Sequence, residues 1–296
     1  MKKLLLFLCL AVVVASASGA AVMYQPIDLE TDMPSLTGDP GRGAYLARMA
    51  GCIGCHTNGE QGGAPLAGGL ALDTGFGTFY SPNLTTDPEK GIGDWSLDDF
   101  ARAVRHGISP DGKPYYPAFP YPFYAKLSDQ DIADLWAAFQ TVPPAGEPSV
   151  DHDLSFPFGI REGLKLWRAA YLEETPFVPD PEKSEKWNRG KFIVEGPAHC
   201  GACHTPRNAL GARQVQFAFH GAEGLPDGGK SPPITSETLK QNGWTIASLK
   251  YALQTGITPD GDVFGGTMGE VVRDGTAFLS DEDREAVATF LLENGG

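Results

Sequence analysis

The chain carries the pattern C-x-x-C-H twice, as Cys52-Ile53-Gly54-Cys55-His56 and as Cys200-Gly201-Ala202-Cys203-His204. Two residues between the cysteines place both sulfurs on one turn of backbone, where they can form thioethers with the two vinyl groups of a single porphyrin. The adjacent histidine then lies under the ring and offers its imidazole to iron. Two such sites predict two covalently bound haem c groups with iron, attached through Cys52, Cys55, Cys200 and Cys203 and ligated by His56 and His204. Other chemistries use paired cysteines. A thioredoxin-like redox pair needs a βαβ context, and the flanking sequence has no strand pattern. A single zinc would have to join pairs far apart in the chain, each with its own histidine. Structural disulfides of an exported protein leave both histidines unexplained. The fifth cysteine, Cys9, sits in the N-terminal apolar run, and the bulky Leu8 before it does not suit a lipobox.

The sites are embedded in a long internal repeat. Gly43 and Tyr45 before the first site match Gly190 and Phe192 before the second, and Ser81-Pro82 matches Ser231-Pro232. Trp95 matches Trp244, and the helical patterns that follow, Ser96 to His106 and Thr245 to Thr255, lead into Gly107-Ile108-Ser109-Pro110-Asp111-Gly112 and Gly256-Ile257-Thr258-Pro259-Asp260-Gly261. Ser128-Asp129-Gln130-Asp131 matches Ser280-Asp281-Glu282-Asp283; each reads as an N-cap with an acidic first turn, followed by an apolar periodic run. Each copy therefore reads as helix, haem site, long loop, helix, loop, helix. The period is too long for a solenoid, so this is a duplicated domain. Between the copies, a stretch opening Pro143-Pro144 and closing with TPFVPDPE is punctuated by proline. Its middle is too apolar for a free tether, and Leu164, Leu166, Trp167 and Tyr171 are expected to dock on one or both copies.

A length of 296 residues fits two domains, and the 37 glycines and 24 prolines imply short helices joined by long loops. The net charge of −14 lacks the basic surplus that phosphate neutralisation needs, which disfavours a nucleic-acid partner. At the N-terminus, Met1-Lys2-Lys3 precedes the apolar run Leu4 to Val14 and the small-residue stretch ASASGAA, the layout of a secretory signal peptide. No charge occurs between Lys3 and Asp28, so an uncleaved membrane anchor from Leu4 to Met23 is the alternative. Either way the rest of the chain is exported, to the periplasm or to the outer face of the inner membrane.

The two C-x-x-C-H sites, the segment PNLTTDPEKGIGDWS and the loops GISPDGKPYYPAFPY and GITPDGDVFGGTMGEVV together resemble the bacterial dihaem cytochromes c, including cytochrome subunits of membrane-bound alcohol and gluconate-type dehydrogenases. The resemblance runs from Gly41 onward. Such subunits often carry three haems, where this chain has sites for two. The resemblance implies an all-α fold of two tandem class I cytochrome c domains, here joined by a docked proline-rich linker. The boundaries expected are 1–23 for the signal peptide or anchor, 37–142 and 185–296 for the domains, and 143–184 for the linker.

The sixth iron ligand separates the copies. Met268 follows His204 in the loop before the last helix, among Gly265, Gly266 and Gly269, where the family places its methionine. At the same repeat offset the first copy has Phe119, which cannot ligate iron, and no methionine lies between His56 and Met268. Met49 reads as a core residue. Lys126 and the tyrosines Tyr115, Tyr116, Tyr121 and Tyr124 are substitute candidates, and a five-coordinate iron is the other reading. His106 reads as a helix C-terminal residue; His152, His199 and His220 read as surface or linker histidines. Arg42 and Arg189 are either surface arginines or partners of haem propionates, and the Gly-rich stretch after His56 is expected to wrap a haem edge.

Electron transfer between a dehydrogenase or quinol-linked donor and a soluble cytochrome or oxidase is the function these features favour. A dihaem oxidoreductase acting on peroxide or a sulfur oxyanion at the first haem lacks an evident distal acid–base group beside Phe119. A gas or redox sensor lacks an output domain.

Overall fold

A computed structural model describes residues 23–294. The expected signal peptide or anchor therefore lies outside the described residues apart from Met23. Among the described residues, no helix is long and apolar enough to cross a membrane.

Helix α1 (Pro40–Met49) leads directly into the short attachment helix α2 (Cys52–Cys55), and a hairpin of β1 (Ala71–Thr74) and β2 (Gly77–Tyr80) follows. Then come α3 (Leu97–His106), α4 (Tyr121–Tyr124) and α5 (Asp129–Phe139). Strand β3 (Asp153–Leu154) and helix α6 (Leu164–Tyr171) occupy the middle of the chain. The second copy repeats the order as α7 (Glu185–Glu195), the attachment helix α8 (Gly201–His204), α9 (Ser236–Gln241), α10 (Ile246–Thr255), α11 (Gly266–Asp274) and α12 (Asp281–Glu293).

Local sequence sets the helix ends. Ser96 and Ser128 cap α3 and α5 in reciprocal boxes with Asp99 and Asp131, and Thr245 caps α10 with Ser248. Helices α3 and α10 stop at Gly107 (φ 60°) and Gly256 (φ 78°), the first residues of the two matching G-I-S/T-P-D-G segments. Those segments turn identically: the Gly112 amide donates to the Ser109 carbonyl at 2.9 Å and the Gly261 amide to the Thr258 carbonyl at 3.0 Å. Each returns the chain to its own glycine, with Tyr115 N–H bonded to Gly107 O at 2.7 Å and Phe264 N–H to Gly256 O at 2.8 Å.

The closest helix contacts are α1 on α5 and α7 on α12. Gly43 lies so near α5 that a Cβ there would fall 1.8 Å from the Asp134 carbonyl oxygen, and one at Gly190 would fall 2.0 Å from that of Ala286. Beside each crossing a carboxylate is buried and paired. Asp134 accepts from Arg42 Nη2 at 3.0 Å and from the Asp39 amide at 2.7 Å. Asp283 is held by both Arg189 nitrogens at 2.8 Å. Arg42 and Arg189 are thus paired with helix carboxylates. Tyr45 crosses between the copies, its hydroxyl donating to Asp283 at 2.8 Å and accepting the Ser280 amide at 2.9 Å.

The helical expectation is amended at one place. Strands β1, β2 and β3 form a small antiparallel sheet in that order, with Ala71 opposite Tyr80 and Thr78 opposite Asp153. The Gly-rich stretch is a hairpin, closed by a partner strand distant in sequence. Around β3, residues 143–184 bond to both flanks. Tyr116 donates to the Phe158 carbonyl at 2.8 Å, Arg168 to the His106 carbonyl at 2.7 Å, and Trp167 Nε1 to the Leu210 carbonyl at 2.9 Å. Leu166 and Tyr171 line a large cavity, and protein atoms leave both of them partly uncovered.

The two glycine crossings leave no room for a side chain. Gly190→Val should destabilise the protein by about 1–3 kcal/mol or more through overpacking. A lowered denaturant midpoint with an unchanged slope is the expected result, and an unchanged midpoint would show that the helices can part at no cost.

Candidate haem sites

The two attachment helices open onto one cavity of about 2650 Å³, lined by Cys52, Cys55 and His56 from the first copy and by Cys200, Cys203 and His204 from the second. Pockets for single small ligands run to about 1,000 Å³, so the space suits more than one large group. None of the four cysteines is in a disulfide. Burial pushes the Cys52 and Cys200 thiols up to about 12. Among the described residues no cluster of three or more His, Cys, Asp or Glu is placed to hold a bare metal ion.

The histidines are set the same way in both copies. His56 Nδ1 lies 2.8 Å from the Pro82 carbonyl oxygen, and His204 Nδ1 lies 2.8 Å from that of Pro232. A carbonyl only accepts, so Nδ1 carries the proton and Nε2 keeps its lone pair for a metal. Burial lowers both imidazole pKa values, favouring the neutral, ligating form. The Ser-Pro pairs matched in the repeat supply these two carbonyls.

Met268 lines the same cavity, near the start of α11 and so on a helix rather than in the expected loop. Phe119 also lines it, with ring contacts to Tyr115, Tyr121 and Tyr124 at 6.0, 6.1 and 5.8 Å. Trp95 and Trp244 are further wall residues. Of the substitute ligands, Lys126 is displaced: it lines a separate cavity of about 430 Å³ with Phe177 and Phe192. His106 faces Glu174 at 3.3 Å. His152 is exposed and lies in the linker stretch, as expected, and it borders the main cavity beside Phe79 and Tyr116. Its Nδ1 accepts the Tyr80 amide at 3.2 Å, so its Nε2 presents an N–H and not a lone pair. His199 is enclosed between the rings of Phe123 and Tyr124.

Sequence reasoning missed Arg207 and Arg213. Both line the cavity, and neither has an ion pair among the described residues. Arg207 donates to the Gly211 and Ala202 carbonyls at 2.7 and 3.0 Å, while Arg213 lies over the Phe123 ring at 4.0 Å. Burial, and then the charge of Arg207, push the Arg213 guanidinium down to about 10. Two guanidinium groups on a cavity wall, neither in an ion pair, suit an anionic occupant. Haem c, with two propionate carboxylates, fits that demand as well as the thiols and imidazoles.

A cytochrome c family model matches residues 41–139. The chain is 38% identical over 291 residues to a diheme cytochrome c-type protein of Cereibacter sphaeroides, with 95% of each covered. It is 39% identical over 270 residues to the fructose dehydrogenase cytochrome subunit of Gluconobacter japonicus, spanning 90% of this chain and 54% of that one. It is also 39% identical over 259 residues to the cytochrome c subunit of the quinone alcohol dehydrogenase of Gluconobacter oxydans, covering 84% of this chain and 53% of the subunit. The chain thus spans about half the length of these dehydrogenase subunits. With duplicated attachment turns, carbonyl-anchored histidines and a relative matched almost end to end, the chain belongs to the bacterial dihaem c-type cytochromes.

Proposed function

We propose that the chain is a periplasmic electron-transfer protein with two haem c groups, one in each of two tandem class I domains (37–142 and 185–296) clasped by the linker 143–184. Its N-terminal segment is a signal peptide or an inner-membrane anchor. The donor is a dehydrogenase or quinol-linked enzyme, and the acceptor is a soluble cytochrome or an oxidase. The observation that carries this reading is the paired geometry of His56 on Pro82 and His204 on Pro232, which presents two lone pairs to one cavity. The names of the relatives, cytochrome subunits of fructose and alcohol dehydrogenases, support a dehydrogenase as redox partner.

Bound haem c supplies a one-electron couple at its iron. Cys52 and Cys55 hold one group, and Cys200 and Cys203 the other. The Pro82 and Pro232 carbonyls orient the imidazoles and raise their basicity. Met268 would offer a soft sulfur to a haem iron held by His204, which would favour its reduced state. Phe119 would offer nothing to one held by His56, and its tyrosine neighbours keep water from that wall. Ligand identity then makes the second couple the more oxidising. Burial would act on both sites, whereas the ligand would differ at one, so the His56 side would be the entry for electrons and the Met268 side the exit.

Mass spectrometry of exported protein should show two added haems that survive acid–acetone extraction; one or none would reject this reading. Redox titration should give two separated waves. Phe119→Met should raise the lower one towards the higher, and Met268→Ala should lower the higher one and abolish the long-wavelength band of methionine-ligated haem. Overlapping wild-type waves would reject the assigned direction. Arg213→Gln should leave both haems attached and move one wave to lower potential, since removing a cation favours the ferric state; two unmoved waves would show that the guanidinium faces no haem.

A further inference from the structure

The attachment turns of the two copies meet reciprocally. Helix α11, which bears Met268, packs on α2, so that a Cβ at Gly54 would lie 3.4 Å from Asp274 Cβ. Phe123 of α4, just after Phe119, packs on α8, so that a Cβ at Gly201 would lie 3.5 Å from its ring. Each copy therefore lays its distal segment against the other copy's attachment turn.

At the centre of this arrangement, the residues just before Cys52 and Cys200 face one another. They are Gly51 and His199, and a Cβ at Gly51 would lie 3.7 Å from His199 Nε2. Both adopt the left-handed backbone, with φ of 70° at Gly51 and 37° at His199. Glycine takes that conformation freely, whereas histidine takes it under strain. The strained side chain is engaged. His199 Nε2 donates to the Ala50 carbonyl at 3.3 Å, and the Tyr124 hydroxyl donates to the same oxygen at 2.7 Å. The Phe123 and Tyr124 rings lie 6.0 and 5.9 Å from the imidazole. One carbonyl, two residues before Cys52, thus ties the residue before Cys200 to the first attachment turn.

We propose that His199 is a positioning residue for electron transfer between the haems: its imidazole locks the two attachment turns at a fixed separation, so that the electron crosses inside the protein. The inference rests on the dihaem reading above. In the step, one electron leaves a ferrous iron in one copy and reduces a ferric iron in the other; no bond is made or broken and no proton is needed.

The test uses full-length exported holoprotein. His199→Gly reproduces the residue found at the facing position, removing the imidazole while relieving the backbone, so the fold should not suffer. His199→Asn keeps a donor on a residue that tolerates the left-handed region. Two haems should be found by mass in every variant. In His199→Gly, the bisignate Soret circular dichroism of two close haems should fall and inter-haem electron exchange after a laser flash should slow several-fold, with no loss in melting temperature. His199→Asn should restore most of both signals. Wild-type dichroism and exchange in His199→Gly would overturn the proposal, as would equal losses in both variants accompanied by a lower melting temperature. A wild-type protein without two haems would instead bring down the reading on which it rests.

Discussion

Everything in this molecule hangs on how closely two helices can approach. At Gly43 and Gly190 the missing side chain lets one helix backbone touch the carbonyl face of another, and the attachment turns are continuations of the helices so anchored. The approach also brings a carboxylate, Asp134 or Asp283, under cover, where an uncompensated charge would be costly. Arg42 and Arg189, one residue before each glycine, answer that charge. Glycine and arginine at adjacent positions are thus parts of a single device: one permits contact and the other neutralises what the contact buries.

On that common frame the two copies diverge at the wall of the cavity they share. The loops leading there are nearly superimposable in their hydrogen bonding, from the left-handed glycine to the returning amide of Tyr115 or Phe264. What they deliver differs: a thioether at Met268 and a phenyl ring at Phe119, the latter set among tyrosines whose own hydroxyls are pushed away from ionisation by burial. Matching scaffolds thus end in unlike side chains, a difference made without new architecture.

The attachment turns, the helix caps and the repeat were legible because each is written in contiguous residues. So were the Ser-Pro pairs, although their purpose as histidine acceptors showed only once His56 and Pro82 were brought together. Other features depend on partners remote in the chain. Strand β1 has no strong pattern of its own and is stabilised by β2 and, through it, by Asp153 and Leu154. Lys126 follows the aromatic loop closely in sequence yet lies against Phe192 and Phe177, because α4 turns the chain away before it. His199 reads as a surface or linker residue until the packing of one copy on the other encloses it, and Arg213 carries no signal in the sequence. The one local hint at His199 was its place opposite a glycine in the aligned repeats.

That alignment of Gly51 with His199 bears on ancestry. In an association of two identical chains, a residue on the symmetry axis faces its own duplicate, and any substitution there is made twice. Two imidazoles would have to share the gap that one now fills, competing for a place beside a single carbonyl. Joining the copies in one polypeptide removes this restriction, since each side of the axis can mutate alone. The position nearest the axis is therefore where a fused pair can gain what a symmetric dimer is denied, a bridging group that belongs to one half only.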